Sequence, residues 1–471
     1  MKKIFLLSVV SIVCSVTCFA TVYLPAIFSD HMVLQQNSTV KIWGWSEVEE
    51  KVSIKPSWDT TTYYAAGNSL AKWETMIKTP KAGGVYTITV KGSYNEIVIQ
   101  DVLIGEVWLA SGQSNMEMTV YWGLKYDEEV KNATNTSIRF FHIPKSSATA
   151  PQEDVRAKWV VCSPEAMKGF SAVAYFFGRK LNEQLNVPVG LIAAAWGGTP
   201  AEVWTPEDVV KNNQVLNEAA AKIQPSKWWP NLPAYTYNAM IAPVTGFKIA
   251  GAIWYQGESN TGTAATYQQL LTAMIGSWRQ KWNTELPFYF VQIAPFAYND
   301  SNVCALLREA QTKTAASVNN TGMVVTSDLV DNINDIHPKL KKEVGERLAN
   351  YALADAYGKT GVAYKSPAYK NMQVEKNKIR IAFNDAGKNL MLKGKEATNF
   401  FIAGDDKNFL PAKTKIEGNT ILVWNETIKQ PVAVRFGFSN RAMPNLFSSE
   451  GLPVNLFRTD DWPVDTSPVK K

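Results

Sequence analysis

Val102-Leu103-Ile104-Gly105-Glu106-Val107-Trp108-Leu109-Ala110-Ser111-Gly112-Gln113-Ser114-Asn115-Met116 is the stretch that decides the fold of this chain. The run from Val102 to Leu109 is short, mostly apolar and followed by a turn signal, which reads as a buried strand. Asn115 onward reads as the start of a helix. Ser114 therefore stands at a strand-to-helix junction, beside backbone N–H groups without intrahelical partners and at the positive end of a helix dipole. Such groups can hold the oxyanion formed when a serine attacks an ester carbonyl. The same position also suits a simple helix cap, so the rest of the chain must decide.

Outward from this junction, strand and helix patterns alternate. A helix over 171–186 precedes the apolar strand 189–196. Strand 249–255 leads to a helix over about 264–282. Strand 288–293 leads to a helix over about 303–318, then to strand 323–326. This alternation predicts an α/β fold, a largely parallel sheet with helices on both faces. Ligand sites in such sheets lie at the carboxyl ends of the strands. Ser114, Gly197-Gly198-Thr199, Gln256-Gly257-Glu258 and Asp335 with His337 all fall there.

Short alternating runs flank this region, such as Thr39-Val40-Lys41-Ile42-Trp43 before it and Lys378-Ile379-Arg380-Ile381-Ala382-Phe383 after it. They predict β-sandwich-like domains on both sides. The expected organisation is a leader over 1–20, an N-terminal β domain over 21–100, an α/β domain over 101–360 and a C-terminal β domain over 361–471. No internal repeat or low-complexity tract interrupts it.

Only three histidines are present, His31, His142 and His337. A serine nucleophile usually borrows a base, most often an imidazole with a pKa near neutrality. His31 lies near the start of the mature chain and His142 is flanked by Phe141 and Ile143, so both read as structural. His337 sits in Asn334-Asp335-Ile336-His337-Pro338, two residues after a carboxylate. In an extended segment those two side chains project to one side, and Pro338 biases His337 toward that geometry. Leu340, Val344, Leu348 and Tyr351 recur at helical spacing, so a helix is expected from Pro338 onward. Its N-terminal field would help keep the ring neutral, with Asp335 fixing the tautomer.

The paired glycines of Trp196-Gly197-Gly198-Thr199-Pro200 let backbone approach a ligand closely, so the Gly198 N–H is a candidate second oxyanion donor. Gln256 offers a third through its side-chain amide. Glu258 is expected to orient that network or the histidine, or to be a structural acid. Gly257-Glu258-Ser259-Asn260-Thr261 lacks the second glycine of the α/β-hydrolase elbow, and no phosphate or dinucleotide glycine loop is present.

Met1-Lys2-Lys3, the apolar stretch from Ile4 to about Val16 and Cys18-Phe19-Ala20 together read as a secretory signal peptide cut after Ala20. Location is then periplasmic or secreted, and no later stretch is long enough for a membrane span. The leader holds Lys2 and Lys3 and no acid, so the formal charge of +6 falls to +4 without it. That is too modest to argue for a nucleic-acid partner. Cys162 and Cys304 remain, enough for one disulfide and not for a zinc site. The 16 tryptophans and 18 tyrosines point to carbohydrate, since aromatic rings stack on sugar faces, although most such rings are expected to fill cores.

Together, Gly112-Gln113-Ser114-Asn115-Met116, Gly197-Gly198-Thr199, Gln256-Gly257-Glu258 and Asp335-Ile336-His337-Pro338 resemble the SGNH-hydrolase superfamily, in particular its sialate O-acetylesterase branch. Met32-Val33-Leu34-Gln35, Leu307-Arg308-Glu309-Ala310-Gln311, Gly451-Leu452-Pro453 and Phe457-Arg458-Thr459-Asp460 extend the likeness over nearly the whole mature chain. The resemblance implies a serine esterase that removes O-acetyl groups from sialic acids, with no metal or organic cofactor. It implies Ser114 as nucleophile and His337 as base, with the N–H groups of Ser114 and Gly198 and the Gln256 amide around the oxyanion. The superfamily pattern puts aspartate three residues before the histidine. Here Asn334 holds that place and Asp335 follows it, so the acid behind His337 is either Asp335 or Glu258. Acetylxylan or another acetylated glycan is the alternative substrate, and a non-catalytic sugar-binding protein the alternative class. Oligomeric state is left open.

Overall fold

The computed structural model describes residues 22–469, and the leader expected over 1–20 lies outside them. The strand that leads to Ser114 is longer than its apolar run. It spans Glu96–Gly112 and is here called β1. Exposed and covered residues alternate up to Asp101, and every residue from Val102 to Gly112 is buried. The two halves have different neighbours. The first pairs antiparallel with the strand Gly83–Lys91, and the second lies between parallel strands. A strand covered on one face alternates, whereas one covered on both reads as a continuous apolar run.

The parallel sheet is completed by β2 (Asn135–His142), β3 (Trp159–Cys162), β4 (Val189–Ala195), β5 (Gly251–Tyr255), β6 (Phe288–Val291) and β7 (Thr321–Val324). Its order is β7-β6-β5-β1-β4-β2-β3, with β3 alone antiparallel to its neighbour. The chain leaves β1, builds outward on one side, returns through β4 and then crosses to β5 on the other side. The reversal falls at β1, where open α/β sheets place their ligands.

Five helices matter for the site: α1 (Ser114–Glu117), α2 (Ala172–Leu185), α3 (Ala264–Trp282), α4 (Val303–Ser317) and α5 (Lys341–Tyr351). Trp108 and Ala110 of β1 face a core shared with Phe176 and Phe177 of α2 and Leu348 of α5. The alternate residues Val107 and Leu109 face a core shared with Tyr267 and Trp278 of α3 and Leu307 of α4. Gly345 lets α5 lie close on α2, since a Cβ there would come within 2.6 Å of the Val173 carbonyl oxygen. Cys162 lies in the first core and Cys304 in the second, and both are buried free thiols. The single disulfide that the sequence allowed is therefore absent: the two cysteines sit on opposite faces of the sheet.

On the N-terminal side, Thr39–Trp45 pairs with Lys72–Lys78, and Lys51–Pro56 pairs with Tyr63–Ala66 and Gly83–Lys91. Val40, Ile42 and Ile77 of the first sheet share a core with Val52, Ile54 and Ile88 of the second. On the C-terminal side, two four-stranded antiparallel sheets enclose Ile379, Ile381, Ile421 and Val423 against Phe400, Ile402, Val434 and Phe436. Arg458 clamps this sandwich to α4 through a two-pronged pair with Glu309, at 2.8 and 3.1 Å.

Candidate active site

Three strand ends meet at one level. Gly112 of β1 is paired with Ala195 of β4 on one side and Tyr255 of β5 on the other. Gln113-Ser114, Trp196-Gly197-Gly198 and Gln256-Gly257-Glu258 therefore leave the sheet side by side. Gly112 has φ of +139°, and a Cβ there would lie 2.2 Å from the Tyr255 carbonyl oxygen, so only glycine makes this bend. Ser114 is the first residue of α1, 8 % exposed, in the turn whose N–H groups have no intrahelical acceptor. The cap position belongs to Gln113, whose side chain makes no cap bond. Its Oε1 instead accepts from the N–H groups of Gly257 and Ser259, at 3.4 and 3.3 Å. A capping role for Ser114 is thereby removed.

His337 lies between β7 and α5. The extended path and the helix start at Pro338 expected from sequence are both corrected: the chain bends at Ile336 and His337, and α5 opens only at Lys341. The bend arises because Asp335 Oδ1 accepts the backbone N–H of His337 at 2.9 Å. The ring Nδ1 stands 3.8 Å from the same oxygen, an ion-pair separation longer than a hydrogen bond. Burial holds the imidazole below its ordinary pKa, and the Lys341 charge acts in the same direction. The carboxylates of Asp335 and Glu117 oppose them. The histidine segment is fastened to the serine segment, for Asn115 Nδ2 donates to the Ile336 carbonyl at 3.1 Å.

Glu258 is buried, and its Oε1 accepts from Asn115 Nδ2 at 2.5 Å. Burial raises its pKa. Of the two acids considered for His337, Asp335 accepts its backbone N–H and lies 3.8 Å from its ring, and Glu258 braces Asn115. Gln256 requires a correction. It has no exposed surface, and its amide donates to the Thr199 carbonyl at 3.2 Å and to Asn260 Oδ1 at 2.8 Å. Its Oε1 accepts from the Tyr267 hydroxyl at 2.8 Å. Gln256 thus supports the Gly198-Thr199 turn from beneath, and its donors are already used. Gly198 has φ of +81° and its carbonyl accepts from Ser259 Oγ at 2.9 Å.

Sequence reasoning passed over three residues here. Glu117, inside the serine motif itself, accepts the Gly197 N–H at 2.6 Å and pairs with Lys145 at 2.6 Å. A Cβ on Gly197 would lie 3.2 Å from both Glu117 Oε2 and Ser114 Cβ, which places that turn against the serine. Asn115 and Lys341 lie below, with Lys341 Nζ 2.5 Å from Asn115 Oδ1.

Aromatic rings border the site on two sides. Trp122, 42 % exposed, stands edge-on to His337 with centroids 5.8 Å apart. Trp229 lies over Gly198, whose Cβ position is 2.4 Å from the ring. Its neighbour Trp228 is 79 % exposed. Among the described residues, no group of three or more His, Cys, Asp or Glu is arranged to hold a metal ion, and no helix is long and apolar enough to cross a membrane.

Known proteins resemble this chain in sequence and fold. The family model for carbohydrate esterases of the sialic acid-specific acetylesterase type matches residues 104–354. Sialate O-acetylesterases of Pongo abelii and Homo sapiens are each 30 % identical over 383 residues, covering 74 % of this chain and 73 % of theirs. The crystal structure of a carbohydrate acetylesterase from Xanthomonas citri superposes with a TM-score of 0.85 at 34 % identity, over 94 % of this chain and all of that one. From β1 through α5, the matched span holds the serine and histidine segments together, and the chain belongs to the sialic acid-specific acetylesterase family of carbohydrate esterases.

Proposed function

We propose that this carbohydrate O-acetylesterase works through Ser114 as nucleophile and His337 as general base, and that O-acetylated sialic acids are its substrates. The observation that carries the reading is the bond from Asn115 to the Ile336 carbonyl, which joins the residue after the serine to the residue before the histidine. Ser114 Oγ attacks the acetyl carbonyl carbon while His337 takes the hydroxyl proton. The negative oxygen faces the N–H groups of Ser114 and Gly198. Collapse of this intermediate breaks the bond to the sugar oxygen, which leaves with the proton from His337. Water, deprotonated by His337, then attacks the acetyl-serine, and collapse of that second intermediate releases acetate as Ser114 Oγ takes the proton back from His337. Asp335 steadies the imidazolium from 3.8 Å.

The sialic acid assignment rests on the named relatives, and the rings of Trp122 and Trp229 suit a sugar at the rim. The basic, apolar leader supports a periplasmic or secreted location. Incubation with O-acetylated sialic acid and with acetylated xylan, each followed by acetate release, tests the substrate. Faster release from xylan would move the assignment to plant glycan while leaving the chemistry in place.

A further inference from the structure

Beneath Ser114 and His337 runs a buried chain of polar groups. Lys341, the first residue of α5, is 1 % exposed, and its Nζ is 2.5 Å from Asn115 Oδ1. Asn115 Nδ2 is in turn 2.5 Å from Glu258 Oε1. The ammonium also lies 5.2 Å from the centroid of the Tyr255 ring, a cation–π contact. Ammonium, amide and carboxylate thus link the segments that follow β7, β1 and β5. Asn115 adjoins the serine, and Lys341 lies four residues beyond the histidine.

A buried lysine is costly to keep, and at the first position of a helix the backbone dipole adds to that cost. A methionine would fill the same space without it. We propose, on the basis of the serine–histidine reading above, that Lys341 is a positioning residue: through Asn115 it holds the two segments in register, and its positive charge disfavours a second charge on the imidazole. The charged groups facing each partner define the balance. Lys341 faces Glu258, Asp335 and Asp331. His337 faces Asp335 and Glu117 as well as Lys341, and Glu117 is itself paired with Lys145. Burial pulls the Lys341 amine down to about 7. Below that value the amine is charged, so its repulsion is present across the range in which His337 takes up a proton. Above it the neutral amine still donates to Asn115.

The test uses the full chain with Lys341→Gln, which keeps a donor, and Lys341→Met, which keeps neither donor nor charge. The kcat/KM for a chromogenic acetate ester is followed against pH, with Ser114→Ala as reference. Both substitutions should move the acid limb upward by about half a pH unit or more, the size expected for loss of a nearby charge. Lys341→Met should also lower kcat more than Lys341→Gln. A folded variant whose acid limb stays in place overturns the proposal. So does failure of both variants to fold, which would make Lys341 a fold residue only. If Ser114→Ala retains near-normal turnover, the underlying esterase reading falls instead, whatever the lysine variants do.

Discussion

Asn115 Nδ2 donates to the carbonyl oxygen of Ile336 across 221 positions of chain, at 3.1 Å. The distance spanned in the fold explains why such a bond is needed. Ser114 follows β1 at the centre of the sheet, whereas the histidine loop follows β7 at its edge, beyond β5 and β6. Strands lie ~4.8 Å apart, so the histidine loop must reach back roughly 14 Å over the strand ends. A loop of that reach has many conformations, and the Asn115 bond selects one in which it lies against α1.

Asn115→Ala should therefore separate the two loops. It removes the bond to Ile336 and leaves Glu258 and Lys341 buried without their bridge. An orphaned buried polar group costs about 1–3 kcal/mol, more if charged. A lower melting temperature and at least a tenfold loss of kcat are expected, the latter measured well below the melting range. Unchanged kcat would show that the loops hold their geometry without this bond.

Ser114→Ala removes the proposed nucleophile and leaves the cap untouched, because Gln113 occupies that position. Turnover should fall by roughly three orders of magnitude or more. The melting temperature should stay close to that of the parent chain. A variant that still hydrolyses an acetylated sugar at near-normal rate ends the serine mechanism.

Much of this site was legible in the amino-acid order. The helix over 264–282 has its expected ends, because helical spacing and an Asn283 in the left-handed region mark both the body and the stop. The strands β2 and β3 escaped notice: β3 has four residues, and Arg139 within β2 interrupts an apolar run by pairing with Asp101. The start of α5 was placed too early because Pro338 suits a first turn, while the Asp335 bond to the His337 N–H bends the chain and delays the helix. Gln256 read as a donor to ligand because it follows a strand end. Its partners Thr199, Asn260 and Tyr267 come from three separate segments. Lys341 gave no signal at all, since nothing local marks a lysine whose amine is buried against Asn115, 226 positions away in the chain.

Activity should depend on pH through His337. A protonated imidazole cannot accept the serine proton, so turnover falls as pH drops through the histidine pKa. Burial, then the Lys341 charge, lowers that pKa from its ordinary 6.5. The acid limb of kcat/KM should accordingly have its midpoint below about 6.5. The same depression stabilises the fold, because the unfolded chain binds the proton more readily. That contribution is present above the ordinary value and is lost as pH falls through the depressed one. A midpoint above 7 contradicts the assignment of His337 as base in this environment.

Trp229 offers a way to separate chemistry from recognition. Its ring covers Gly198, while Trp122 stands beside His337 on the other side. A bulky acetylated sugar would contact such rings, whereas a small chromogenic ester would not. Trp229→Ala should raise KM for the acetylated sugar about five- to tenfold, the effect of losing roughly 1 kcal/mol or slightly more of aromatic contact. Its kcat/KM on the small ester should change by less than about threefold. Trp229→Phe, which keeps an aromatic face, should recover most of the lost affinity. Gly198→Ala is the contrasting change: with φ of +81° and the ring 2.4 Å from the new Cβ, it distorts the turn itself. Both substrates should then suffer alike. Equal losses on both substrates in Trp229→Ala would instead mean that the ring only holds Gly198 in shape.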